Sequence, residues 1–159
     1  CNSTGADRAV RNGHLHVLQW LASPNRVNNN REPGNKQVYC NNDGVNYAAK
    51  HGHLNVIQWL SSPQRGVRQI HCSQRDADDA AKNGFIEILQ WFYNSKKMLC
   101  TKRGANSAAC NGHLRVLEWL YSKNVFCTNQ GCDWADRFGY IEVVEWLKSP
   151  ERGEHQIMI

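Results

Sequence analysis

Apolar and polar positions along the chain follow two alternating helical patterns, and a glycine separates them in each of five segments. Counting from each glycine, positions plus four, plus five and plus eight are apolar and position plus seven is Trp, the spacing of an amphipathic helix. Positions minus seven and minus four hold mostly small residues at helical spacing, so another helix can approach closely. The pairs are Gly13/Trp20, Gly52/Trp59, Gly84/Trp91, Gly112/Trp119 and Gly139/Trp146.

This constant phase predicts an all-α fold of five helix–turn–helix repeats. Asn, Ser or Thr at position minus eleven is expected to cap each first helix, and the glycine fits a left-handed turn before the second helix. We expect positions plus four, five, seven and eight and the alanines of the first helix to form the core, which places the Trp row inside it. The predicted repeats are residues 1–39, 40–71, 72–99, 100–126 and 127–158 of a single array, with a projecting loop over residues 25–37.

Position minus six always carries Asp or Asn, which could suggest a catalytic row. The residues are Asp7, Asn46, Asp78, Asn106 and Asp133. Catalysis needs groups that converge on one point, whereas these recur once in each repeat. We therefore predict side-chain hydrogen bonds that tie neighbouring repeats together.

Cysteine recurs at position minus twelve, and the chain has seven cysteines in all. Helices stacked about 8–10 Å apart are too distant for a disulfide, and zinc-type Cys-x2-Cys spacing is absent from the sequence. We interpret the repeated cysteines as small buried residues, and we expect Cys110, outside that row, to be the most exposed thiol. Histidines after the glycine, such as His14, His53 and His113, are expected to bond to backbone near the turn. We predict no metal and no cofactor.

Composition adds limits to this picture. The 159 residues are 41% hydrophobic, which is enough for a folded core, and no stretch approaches the roughly 18 apolar residues of a membrane span. No secretory signal is evident at the start. The formal net charge of +5 is compatible with an acidic partner but too scattered to indicate nucleic acid by itself.

The blocks around the glycines resemble ankyrin repeats. Ala48-Ala49-Lys50-His51-Gly52-His53-Leu54 and Ala108-Ala109-Cys110-Asn111-Gly112-His113-Leu114 look like the ankyrin Ala-Ala-x-x-Gly-His core. The Thr-Pro-Leu-His box of the family is missing, and the later repeats are shorter than usual. The chain is similar to the divergent, short-period arrays of amoebae and of the large DNA viruses that infect them. The resemblance implies an ankyrin-like α-solenoid, a non-catalytic role in binding proteins, and an intracellular, cytoplasmic location (the host cytoplasm for a viral chain).

Two positions of the first helix vary freely or carry charge, so they are candidates for partner contacts. Position minus five holds Arg8, Tyr47, Asp79, Ser107 and Trp134. Position minus two holds Arg11, Lys50, Lys82, Cys110 and Arg137, a basic row interrupted once. We expect a partner protein with an acidic patch to bind these residues, without Cys110, on the concave face of the first helices and at the connector tips.

Two alternatives stay open. Nucleic acid could bind weakly along the basic row, which predicts a steep dependence on salt. The array could instead pack edge to edge as a structural component of a larger assembly. Neither end of the repeat pattern has an obvious polar cap, so we expect further repeats or another chain to cover an end.

Overall fold

The computed structural model describes residues 3–23, 43–63 and 71–150, and these contain helices but no strands. The helices are α1 (Ser3–Arg11), α2 (Leu15–Ala22), α3 (Gly44–Lys50), α4 (Leu54–Leu60), α5 (Gln74–Lys82), α6 (Ile86–Lys96), α7 (Lys102–Cys110), α8 (Leu114–Tyr121), α9 (Asn129–Arg137) and α10 (Ile141–Lys148). The predicted all-α helical repeat fold is confirmed. The predicted loop over residues 25–37 lies outside the described residues.

The chain forms two compact units, Cys1–Cys72 and Ser73–Ile159. In the first unit α1 packs on α2 and on α3, and α3 packs on α4. In the second unit α5, α7 and α9 stack in order, and each packs on the helix that follows it. Each unit is therefore a stack of helix pairs, and the continuity of one array across both units stays a prediction.

A glycine ends each first helix because the chain must turn through a left-handed conformation there. The five repeat glycines have φ between +71° (Gly13) and +81° (Gly52), a region that a side chain makes costly. Three of the first helices begin at the predicted caps, Ser73, Thr101 and Thr128. Helix α3 is shorter and begins after Asp43, and the predicted cap Asn41 lies outside the described residues.

The core consists of the small residues of the first helices and the apolar positions plus four, five and eight of the second, except that Val17, at plus four of the first repeat, is only half-buried. In the third repeat, for example, Ala77, Ala80 and Ala81 are fully buried. The side chains of Ile88, Leu89 and Phe92 are at most 1% exposed. Small side chains let neighbouring first helices approach closely, and the branched and aromatic residues of the second helix fill the remaining space.

Two features join neighbouring repeats, and we call them together the repeat joint. The first is the ring at position plus one, which lies over the glycine of the preceding repeat. A Cβ on Gly13 would lie 2.6 Å from Nδ1 of His53, and one on Gly84 would lie 2.8 Å from Nδ1 of His113. Tyr140 covers Gly112 in the same way.

The histidines of the repeat joint also bond to backbone, as predicted. Nε2 of His53 lies 2.8 Å from the carbonyl oxygen of Arg11, and Nε2 of His113 lies 3.0 Å from that of Lys82. Both carbonyls belong to position minus two of the preceding repeat, so each imidazole links two repeats.

The second feature of the repeat joint is the predicted bond from position minus six. The carboxylate of Asp78 accepts hydrogen bonds from the backbone N–H and the hydroxyl of Thr101 in the next repeat. The carbonyl oxygen of the Asn106 side chain accepts from the backbone N–H of Thr128 at 2.7 Å, and its amide donates to the Thr128 hydroxyl at 2.9 Å. Position minus six therefore has a structural role in the second unit.

Candidate partner-binding surface

The first helices place the predicted contact residues at or near the surface. At position minus five Arg8 and Trp134 are exposed, whereas Tyr47, Asp79 and Ser107 are half-buried. At position minus two the four cationic residues Arg11, Lys50, Lys82 and Arg137 are exposed, and Cys110 is half-buried. Both positions are one residue away in sequence from the alanine face. Because a helix turns by about 100° per residue, they lie outside that face.

The first unit presents a compact cationic surface. The guanidinium of Arg11 lies 5.0 Å from the ring centroid of Tyr47, so the two candidate positions of neighbouring repeats touch. Partial burial lowers the pKa of His51 below its ordinary value, and the nearby positive charges of His53, Arg11 and Lys50 lower it further. This positive environment favours an anionic group on a bound partner.

The second unit contains a groove of about 360 Å³ between two first helices. Helix α7 contributes Arg103, Asn106, Ser107 and Cys110, and α9 contributes Gln130 and Trp134. One wall is therefore an indole, and the other walls offer amide, hydroxyl and guanidinium groups. Such a groove can take one apolar side chain of a partner and hydrogen-bond the backbone around it.

Trp134 contacts one residue of its own helix and the residue that follows that helix. Its ring stacks on Phe138 with centroids 5.7 Å apart and planes 19° from parallel, and the guanidinium of Arg137 lies 5.2 Å from its centroid. The side chain nevertheless stays 38% exposed. An exposed indole that is already fixed loses little freedom on binding, which is the property of an interface hot spot.

A second depression, of about 530 Å³, adjoins Trp134 on α9. Gln130, Asp133, Asp136 and Arg137 form the rest of its lining. The charges on this side are mixed, so the second unit is less uniformly cationic than the first.

The sequence analysis did not identify Arg103 and Gln130, which line the groove at position minus nine. The helical spacing of the sequence was sufficient to identify these two residues. Position minus nine lies four residues before minus five and seven before minus two, and all three therefore share one helical stripe.

The Trp row is not in the core, contrary to our prediction. Trp20 is 51% exposed, and the other four Trp residues at position plus seven are half-buried. Position plus seven lies one residue, or about 100°, from the buried position plus eight, so it falls at the edge of the apolar face. In the second unit these rings contact the Tyr of the preceding repeat edge-to-face: Tyr93 with Trp119 at 6.1 Å, and Tyr121 with Trp146 at 5.9 Å.

The prediction for the cysteines is confirmed only in part, because two of the repeated row are buried whereas Cys72 and Cys110 are both half-buried. Cys100 and Cys127 of the repeated row are buried, and Cys110 is half-buried beside the groove. Burial raises the pKa of the Cys100 thiol to about 12, and the negative charge of Asp78 adds to the effect. Cys72, which belongs to the same row, is half-buried and lies 3.2 Å from the Ser61 hydroxyl.

Metal-binding clusters and membrane-spanning helices are not found in the part of the chain that the structure describes. Among residues 3–23, 43–63 and 71–150, no group of three or more His, Cys, Asp or Glu side chains could hold a metal ion. In the same residues, no helix is long and apolar enough to cross a membrane.

The comparison with known families is consistent with this geometry. Residues 6–60 match the family model described as ankyrin repeats (many copies). No curated protein matches the sequence closely enough to add a relative. Ankyrin repeats are generally protein–protein interaction modules and are typically non-catalytic. The match identifies residues 6–60, which contain α1 to α4, as ankyrin repeats, and the described repeats after residue 60 share the same helix–glycine–helix unit.

Proposed function

We propose that the chain is a non-catalytic scaffold of the cytoplasm that binds a partner protein through the exposed side of its first helices. The contact residues are Arg8, Tyr47, Asp79, Ser107 and Trp134, with Arg11, Lys50, Lys82 and Arg137 beside them. To these we add Arg103 and Gln130 of the groove. The partner carries an acidic patch and an apolar side chain that enters the groove.

The groove beside Trp134 is the observation that supports this proposal most strongly. It combines a fixed, partly exposed indole with groups that can donate or accept hydrogen bonds. Residues of this kind at a concave surface contribute most of the binding energy in protein interfaces.

The cationic residues supply a second, longer-ranged contribution. In the first unit, Arg8, Arg11 and Lys50 are exposed on neighbouring first helices. Their field attracts an acidic partner and speeds its association, while the groove in the second unit determines how long the complex lasts.

Binding should require little reorganisation of the repeats. Within each unit the alanine-rich faces and the repeat joints hold the first helices against one another, and Trp134 is already stacked on Phe138. Little free energy is therefore spent on ordering the surface when the partner binds. A small number of contacts can then give a stable complex.

The experiment begins with affinity capture from the native cell, using the full chain as bait and mass spectrometry to identify a partner. The affinity of that purified partner is then measured for the wild-type chain and for the double variant Tyr47→Ala/Trp134→Ala. We expect a loss of at least tenfold, because truncating one hot-spot residue commonly costs about 2 kcal/mol or more.

Trp20→Ala is the matched control, since Trp20 is also exposed but lies on a second helix. The proposal predicts that this variant binds like the wild type. Unchanged affinity of the Tyr47→Ala/Trp134→Ala variant would exclude the proposed surface, and so would a loss confined to Trp20→Ala.

A further inference from the structure

The groove between α7 and α9 has a charged end and an apolar end. Among the described residues that line it, Arg103 is the one charged side chain, and it lies in the first turn of α7. Cys110, the last residue of α7, and Trp134 of α9 also line the groove. The side chain of Asn106, between Arg103 and Cys110, already bonds to Thr128. A ligand in the groove therefore meets a cation at one end and an indole beside a thiol farther along.

The packing of the two helices gives the distance between these ends. A Cβ on Gly131 of α9 would lie 3.1 Å from the Cα of Asn106 on α7, so these two residues are level with each other. Asn106 lies three residues after Arg103, and Trp134 lies three residues after Gly131. Because α7 and α9 are equivalent helices of successive repeats and run in the same direction, each step adds about 4.5 Å. The indole is therefore about 9 Å along the groove from Arg103.

The charge of Arg103 is not explained by the stability of α7. The first turn of this helix carries Lys102 and Arg103 and no acidic residue, and its last turn carries no basic residue. The amide groups at a helix N-terminus carry a partial positive charge, so cations are disfavoured there. Arg103 is also exposed, so its guanidinium can bind a carboxylate of a partner.

An extended segment of the polyproline II type matches the spacing of the groove. Such a segment has three residues per turn and rises about 3.1 Å per residue, so side chains three residues apart point the same way and lie about 9 Å apart. A β-strand places side chains three residues apart on opposite faces, so it does not present both to one groove. The volume of about 360 Å³ suits a short segment of this kind rather than a folded domain.

We propose that the groove binds an extended segment of the partner in which a carboxylate and an apolar ring are three residues apart. The carboxylate accepts hydrogen bonds from the guanidinium of Arg103, and the ring packs on the indole of Trp134. Charge complementarity selects the acidic residue, because Arg103 gives the groove lining a net positive charge. This inference rests on the proposed function, since it specifies which part of the partner enters the groove.

Synthetic peptides with blocked ends test this arrangement on the full chain. The probes are Glu-Pro-Pro-Phe and the reversed order Phe-Pro-Pro-Glu, because a segment can enter the groove in either direction. NMR titration of the isotope-labelled protein follows the indole N–H signal of Trp134. We expect one order to bind with a Kd below about 1 mM. The matching peptides with Lys in place of Glu, or with one Pro removed, should bind at least fivefold more weakly.

Two charge-reversal variants distinguish the groove from the general field of the protein. Arg103→Glu reverses the charge that lines the groove, whereas Lys102→Glu makes the same change in net charge on an exposed neighbour outside the lining. We expect Arg103→Glu to bind the Glu peptide at least fivefold more weakly and the Lys peptide more tightly than the wild type does. Lys102→Glu should change either affinity less than twofold. Both variants place a carboxylate in the first turn of α7, where it is favoured, so circular dichroism should show each folded like the wild type.

Three results would overturn the inference. The first is an unchanged Trp134 signal with both peptide orders at about 5 mM. The second is equal affinity of the wild type for the Glu and Lys peptides, and the third is an equal loss in Arg103→Glu and Lys102→Glu. The proposed function is tested separately, by the affinity of the captured partner for the Tyr47→Ala/Trp134→Ala variant. A loss of that affinity together with failed peptides would remove only the segment proposed for the groove.

Discussion

The carboxylate of Asp78 binds the cap of the next first helix, with one oxygen 2.7 Å from the backbone nitrogen of Thr101 and the other 2.8 Å from its hydroxyl. The contact satisfies a backbone donor at the start of α7 and places a negative charge at the positive end of that helix. One side chain of the third repeat therefore fixes where the fourth repeat begins.

Replacing Asp78 should destabilise the second unit. Asp78→Ala leaves the Thr101 donors without their acceptor, so we expect the free energy of unfolding to fall by about 1.5–3 kcal/mol in urea titrations. Asp78→Asn should cost less than about 1 kcal/mol, because Asn106 makes the same contact with Thr128. Asp133→Ala is the control, because Asp133 holds position minus six in a repeat that no described repeat follows. A loss of stability equal to that of Asp78→Ala would contradict the account.

The repeat glycines should differ in how strongly they resist substitution. Gly84→Ala meets two penalties, a φ of +78° and the ring of His113, 2.8 Å from the new Cβ, so we expect a loss of about 2–4 kcal/mol. Gly139→Ala meets only the backbone penalty and should cost about 1–2 kcal/mol. Thermal and urea unfolding at low protein concentration compare the two, and equal losses would show that the ring contact contributes nothing.

Alkaline pH should weaken the contribution of Cys100 to stability. The folded state keeps the thiol proton up to a pKa of about 12, whereas the ordinary value is 9.0. The protonated thiol gives its full stabilisation below pH 9. Between pH 9 and 12 the unfolded chain binds fewer protons than the folded chain, so this stabilisation falls by about 1.4 kcal/mol per pH unit. The stability difference between the wild type and Cys100→Ala should thus fall by about 2 kcal/mol from pH 8 to pH 10.5. A difference that is independent of pH would contradict the burial argument.

Thiol labelling provides an independent check on the same cysteines. At pH 8 the thiolate fraction of Cys100 is roughly three orders of magnitude below that of an ordinary thiol, so alkylation should be very slow. Cys110 is half-buried beside the groove and should react sooner than Cys100. Peptide mapping by mass spectrometry after timed alkylation distinguishes the two sites, and faster labelling of Cys100 would exclude this arrangement.

Nucleic acid should bind weakly or not at all. In the second unit Asp133 and Asp136 share a first helix with Arg137, so the cations do not form a continuous positive strip there. We expect no binding of single- or double-stranded oligonucleotides below about 100 μM at 50 mM salt, measured by fluorescence anisotropy. Micromolar binding that falls steeply with added salt would instead support the alternative function.

The repeat phase made much of the fold predictable. The glycines fix the turns, and the alanines with positions plus four, five and eight fix the buried faces, so five helix pairs follow from local spacing alone. The hydrogen bonds of Asp78 and Asn106 were predictable for the same reason, because an evenly repeated polar residue beside a buried face needs a partner in the next repeat.

The position of the Trp row was harder to predict because hydrophobicity does not measure rotation around a helix. Trp119 and Trp146 are apolar and adjoin buried residues in sequence, yet they lie at the edge of the face and contact Tyr residues of preceding repeats. Helical spacing places Arg103 and Gln130 on the candidate stripe, but the groove itself was not predictable, since it depends on how the two helices pack across a repeat joint.

The most direct test of partner binding by the first helices is hydroxyl-radical footprinting of the full chain with and without its captured partner. Trp134 and Trp20 are the informative pair, because both indoles are exposed but lie on a first and a second helix respectively. The account predicts that the partner lowers oxidation of Trp134 severalfold and leaves oxidation of Trp20 unchanged. Protection of Trp20 with unchanged oxidation of Trp134 would contradict it.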